Sequence, residues 1–155
     1  MPQRARLERE QRWLLLCLVL AALQQLGSAG LVQAKAQLAP VLIERAWTRS
    51  LAAGGAAVKP WAWADTWPVA RLQVPEEGID QLVLAGDSGN ALAFGPGHSR
   101  ASAPLGEPGL AVIGGHRDTH FAFLADLQTD ARLRLQLPDG RQQWYRVPGG
   151  EIVDS

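Results

Sequence analysis

A chain of 155 residues has the length of one domain, and its composition, 47% hydrophobic and 19% charged, is that of a globular protein rather than a disordered one. The formal net charge is zero, so the basic excess on which nucleic-acid binding depends is missing, and no nucleic-acid partner is expected. The single cysteine, Cys17, rules out a disulfide within the chain and any cysteine-based zinc site.

Residues 1–12 form a basic amino-terminus, with Arg4, Arg6, Arg9 and Arg12 partly offset by Glu8 and Glu10. Residues 13–32, WLLLCLVLAALQQLGSAGLV, carry no charge, and a bilayer core takes about 20 helical residues to cross. Gln24 and Gln25 cost something in lipid, but less than charged side chains would. The arginines precede the run. The positive-inside rule therefore places Met1 in the cytoplasm and everything after about Lys35 outside. A cleaved signal peptide is the alternative, with Ala34 and Ala36 at an A-x-A-like site. The run exceeds the usual signal-peptide core of about 7–15 residues, which favours an uncleaved single-pass transmembrane anchor. Cys17 lies inside this run, where a cysteine acts as a small hydrophobe.

Residues 33–60 read as a connector. Leu38, Leu42, Ile43, Ala46 and Trp47 recur at helical spacing, giving a short amphipathic helix over 33–52. Pro40 either sits in its first turn or kinks it. Glu44, Arg45, Thr48 and Arg49 make its polar side. Such a helix packs on the domain or lies on the membrane surface, and the sequence alone does not separate the two. Gly54-Gly55, followed by Lys59-Pro60, reads as a flexible joint, and the domain boundary is placed there. The folded domain is then 61–155. Trp61, Trp63 and Trp67 are expected to cover its core, with anchoring at a membrane interface as the alternative.

From Val69 the helical period is lost. VARLQVP (69–75) alternates like a half-buried strand, and IDQLVLAG (79–86) is a second. ALAFGPGHS (91–99) is short and broken, with room for one helical turn. GLAVIGGH (109–116) is a continuous apolar run, like a strand buried on both faces. FAFLADL (121–127) is a short helix or loop. ARLRLQLP (131–138) and RQQWYRVP (141–148) form a hairpin about the turn Pro138-Asp139-Gly140. EIVDS begins another strand. Many short strands with Gly/Pro turns predict an all-β barrel or sandwich.

The densest polar cluster is Gly114-Gly115-His116-Arg117-Asp118-Thr119-His120, directly after the apolar run. A polar loop at a strand end is where scaffolds place chemistry, and a histidine there can give or take a proton near neutral pH. The bland reading is a histidine hydrogen-bonded to a neighbour. His116 and His120 are four apart, as in zinc-protease helices, but Arg117 stands where that motif needs Glu, and the run before them is strand-like. No metal is expected there, even with His98 as a third candidate ligand. A kinase catalytic loop is excluded because Phe123 stands where that loop needs Asn.

The order of these segments resembles the sortase family, specifically the proteobacterial branch sometimes called class GN. The resemblance rests on the anchor, the Trp/Pro-rich lead, GDSGNALAFGPGHS, GEPGLAVIGGHRDTHF, the hairpin and EIVD. The resemblance implies a closed sortase β-barrel of about eight strands, of which about six are legible here. It implies a cysteine transpeptidase that cleaves a C-terminal sorting motif in a substrate protein and transfers the product to an amine acceptor, without a cofactor. His116 matches the family's catalytic histidine, and Asp118 and His120 match motif neighbours with supporting roles. The nucleophilic Cys and the catalytic Arg of the family lie in later strands and have no counterpart in this chain. Cys17 belongs to the anchor, and Arg132, Arg134, Arg141 and Arg146 belong to the hairpin. A smaller departure is Leu110, where relatives commonly have Asn. The expectation is a C-terminally truncated, inactive fragment, anchored in the inner membrane with its barrel in the periplasm. The other readings are an anchored, non-catalytic peptide-binding barrel and a histidine-based metal hydrolase.

Overall fold

A computed structural model describes residues 2–149, with side chains described throughout except at 2–12, 14, 16, 17, 26–36 and 90. The expected strand at EIVDS and the side chain of Cys17 therefore lie outside the described residues. Two compact units are present, 1–38 and 39–155. One helix, α1, is assigned over Pro2–Ala52 and takes in both the expected anchor and the expected amphipathic helix. In the first unit, Trp13, Leu15, Leu18, Val19, Leu20 and Leu23 are all exposed. Among the described residues no helix is long and apolar enough to cross a membrane. The expected transmembrane segment Trp13–Val32 has no support there, although residues 14, 16, 17 and 26–32 of that run are outside the described side chains.

In the second unit, α1 presents Ala39, Ile43, Ala46, Trp47 and Ser50 as one buried stripe, the i, i+4, i+7 spacing of a core-facing helix. Of the amphipathic helix expected over 33–52, residues 39–52 therefore pack on the domain. Leu38, named with the apolar face, is instead exposed. The helix ends in a Schellman arrangement. Gly54 has φ 65°, its N–H donates to the Leu51 carbonyl at 3.2 Å, and the Gly55 N–H donates to the Ser50 carbonyl at 2.9 Å. The glycine pair expected to be a flexible joint is thus a helix cap, because only glycine enters the left-handed region without a Cβ penalty.

The rest is one six-stranded sheet in the order β4-β3-β2-β1-β5-β6. Its strands are β1 (Pro68–Val74), β2 (Ile79–Ala85), β3 (Gly97–His98), β4 (Ile113–Gly114), β5 (Arg132–Gln136) and β6 (Gln142–Arg146). Only β2 and β3 run parallel; the other pairs are antiparallel. β4 and β6 each have a single partner, so the described residues form a curled half-barrel, with the six strands that were legible out of the family's closed barrel. A four-residue helix, α2 (Gly89–Leu92), overlaps only the start of the 91–99 segment in which a helical turn was expected, and 121–127 contains a short 3-10 helix, Ala122–Ala125.

Alternation explains the packing. β1 buries Pro68, Ala70, Leu72 and Val74 and half-exposes the residues between them. Ala70, Leu72 and Val74 join Val83, Phe123, Leu135 and Leu137 in the main core. β2 is covered on both faces: Val83 points into that core, whereas Leu84 packs with Ile43 and Ala91 in a second cluster beneath α1. The run 109–116 differs from expectation. Only Ile113–Gly114 pairs, Leu110 is 81% exposed and Val112 is 44% exposed. β4 is the sheet edge: Ile113 packs against the main core, whereas Leu110 and Val112 face solvent. The tryptophans also divide. Trp61 packs edge-on against Phe94 at 5.4 Å, Trp67 lies beneath the Arg100 guanidinium at 5.4 Å, and Trp63 is 84% exposed, so it does not cover the core.

Candidate active site

His116 follows β4 by two residues and is exposed. Its loop closes on itself, because the His116 carbonyl accepts the N–H groups of Thr119 at 3.3 Å and Phe121 at 3.1 Å. This brings His116 and His120 together, with ring centroids 6.2 Å apart and planes inclined by 40°. Two grips hold the loop to the domain. The Phe121 ring meets Phe123 edge-on at 6.0 Å and packs on the main core. The Gln81 side-chain amide, from β2, donates to the His120 carbonyl at 2.8 Å. Gly115 is required by the first grip, since a Cβ there would lie 2.9 Å from the Phe121 ring.

Asp118 is exposed on the same loop. The structure thus brings the His116 and His120 rings together, and among the described residues no hydrogen bond or ion pair ties Asp118 to either.

His98, the third histidine, is placed differently. Its Nε2 lies 2.9 Å from the Ala103 carbonyl and 3.3 Å from the Ser102 hydroxyl. A carbonyl only accepts, so Nε2 carries the proton. Ser102 in turn donates to the Ser99 carbonyl at 2.7 Å and accepts the Val112 N–H at 3.0 Å. His98 therefore shapes the 98–112 loop that delivers the chain into β4. The GPGH glycine has its own cause: a Cβ on Gly97 would collide with the Gly86 carbonyl across the parallel β2–β3 pair. Among the described residues no group of three or more His, Cys, Asp or Glu is placed to hold a metal ion.

Arg134, Arg141 and Arg146 of the hairpin have partners within the domain. Arg134 Nε donates to Gln73 at 2.7 Å, and its guanidinium lies 5.8 Å from the Trp144 ring centre. Arg141 pairs with Asp139 at 2.6 Å and Glu107 at 3.5 Å. Arg146 lies 3.6 Å from Asp130. An open cleft of about 220 Å³, lined by Ile43, Leu82, Phe94, Pro96, Gln81 and His120 among others, runs between α1 and the histidine loop. Sequence reasoning missed Gln81, whose only signal was a second polar residue beside Asp80 at the start of an otherwise apolar strand.

The chain is similar to several known proteins. A family model described as a sortase domain matches residues 72–155. Sortase D of Bacillus subtilis (strain 168) is 32% identical over 84 residues, which cover 54% of this chain and 42% of the relative. The chain thus spans less than half the length of that relative. A Clostridium perfringens Sortase D5 transpeptidase shares the fold with a TM-score of 0.52 at 16% identity, over 67% of this chain and 66% of that one. Sortase A from Corynebacterium diphtheriae aligns at a TM-score of 0.48 and 19% identity, over 71% of this chain and 63% of its own. With more than half of its residues under the family model, and with a half-barrel that matches a solved sortase, this chain belongs to the sortase family.

Proposed function

We propose that this chain contributes the acid–base half of a sortase-type cysteine transpeptidase, of the proteobacterial kind that its segment order resembles. One observation carries the reading: His116 stands exposed at the end of β4, within the sortase-matched span, on a loop gripped from two sides. In the proposed reaction a thiolate attacks the backbone carbonyl of a sorting motif and forms a thioacyl intermediate. His116 protonates the departing amine. It then takes a proton from the incoming amine, which attacks the thioacyl carbon and releases the thiolate. Asp118 and His120 are proposed to shape the loop. The partners are a substrate protein bearing a C-terminal sorting motif and an amine acceptor.

Residues 72–155 contain no cysteine, so this span alone is proposed to be inactive. Proton transfer without a nucleophile forms no covalent intermediate. We also propose anchoring in the inner membrane through 13–32, with the half-barrel in the periplasm. The uncharged run and the arginines before it support this reading.

The test is to read the coding DNA past codon 155 and assay the product of the whole frame. The expected result is an in-frame strand bearing Cys and later Arg, with a product that cleaves a sorting peptide and joins it to an amine. His116→Ala should then lower the rate by about 10²- to 10⁴-fold, the usual worth of a positioned acid–base group. A stop at codon 156, or a His116→Ala enzyme as fast as its parent, would end the proposal.

A further inference from the structure

We infer that Gln81 is a positioning residue for His116, acting through the loop that carries it. The consequence for activity rests on the reading of His116 given above; the structural part does not. Gln81 sits in β2, opposite Leu72 of β1. Its Nε2 donates to the His120 carbonyl, 39 residues along the chain, at 2.8 Å. Among the described residues this is the only hydrogen bond from a strand to residues 116–121.

That one bond reaches His116 because the loop is a closed unit. The His116 carbonyl is tied to the amides of Thr119 and Phe121, so a hold at His120 is also a hold on His116. The other grip, the Phe121 ring against Gly115 and Phe123, is apolar and close-packed. Apolar contact favours burial but is non-directional. A hydrogen bond is directional and fixes the orientation of the loop on the sheet. Beside the bond lies the cleft of about 220 Å³ between α1 and the loop. No other polar side chain on the sheet bonds to the loop in place of Gln81 among the described residues, so the His120 carbonyl depends on Gln81 for its partner in the protein.

The test uses the full 155-residue chain in isotope-labelled form with Gln81→Leu and Gln81→Lys. Leucine keeps the bulk and removes the donor; lysine restores a donor of sufficient reach. Gln81→Leu should speed amide exchange at Thr119 and Phe121 by roughly three- to tenfold, the worth of one net hydrogen bond. It should also move the His116 ring resonance, while exchange at Leu72 and Val83 in the core stays as in the parent. Gln81→Lys should restore both loop signals. In the whole-frame enzyme, Gln81→Leu should lower kcat and leave KM nearly unchanged. Unchanged loop exchange and an unchanged His116 resonance would overturn the inference. So would acceleration spread equally over loop and core, which would mark a merely structural residue. Should Gln81→Leu loosen the loop while His116→Ala stays fully active, the positioning stands and the acid–base reading falls.

Discussion

Asp139 is the one carboxylate in the hairpin turn, and its two oxygens do different work. Oδ1 accepts the Arg141 N–H at 2.9 Å and Oδ2 accepts the Arg141 Nε at 2.6 Å. The backbone bond first, and the side-chain bond second, hold its carboxyl below the usual value. A carboxyl depressed in the folded state stabilises the fold above the ordinary range, near ~3.9, and that gain fades as pH falls through the depressed value. Asp139→Asn should therefore lower the thermal midpoint at neutral pH, by a small amount because the group is exposed, and the two midpoints should converge in acid. A constant difference at every pH would show that the charge plays no part. The turn was legible as Pro-Asp-Gly because each residue has a local reason to be there. His116 was legible too, as the histidine of a glycine-led polar loop. Gln81 and the fixed role of His98 were not, because each depends on a partner brought in by the fold: the His120 carbonyl for one, the Ala103 carbonyl across a loop for the other.

At the scale of elements, the last turns of α1 are held to the sheet by two unequal forces. The polar one is a chain of contacts on the sheet's outer side. Arg71 in β1 binds Glu44 of α1 at 2.7 Å and Asp80 of β2 at 2.6 Å, and Gln73 also donates to Asp80 at 2.9 Å. Burial disfavours the Arg71 cation, but the bonds to Asp80 and Glu44 outweigh it and hold its pKa above the usual value. Both carboxylates are largely solvated, so each pair is worth only about 0.2–1 kcal/mol. The apolar force is Ile43, 3% exposed and packed on Leu84 and Ala91. Removing that side chain costs about 2–5 kcal/mol. Ile43→Ala should thus destabilise the domain more in urea titration than Arg71→Ala does, and the reverse order would make the ion pairs the main tie. Helical spacing made Ile43 and Trp47 legible in advance. It could not exclude Leu38, because periodicity fixes a face and not where the partner surface stops. The same limit explains β4: an apolar run signals burial only when a neighbour exists to bury it.

For the whole molecule, the consequence of six strands in one curled sheet is two edges. β4 has β3 as its partner and β6 has β5, so among the described residues each presents unpaired backbone groups on its outer side. Protein surfaces usually blunt such edges with charge or with proline. Here Leu110 and Val112 lie exposed beside one edge, while Trp144 and Tyr145 lie exposed on the other. Arg146, Arg132 and Arg134 bring charge to the β5–β6 side, but the segment from Gly109 to Gly115 carries none. The β4 edge should therefore be the stickier of the two. The 155-residue chain is expected to associate as its concentration rises. Val112→Lys should reverse this more strongly than Trp144→Lys, because it sets a charge where none exists. Sedimentation velocity over a concentration series reads the outcome directly. A chain that stays monomeric throughout, or association suppressed by Trp144→Lys and untouched by Val112→Lys, would show that β4 is covered in solution.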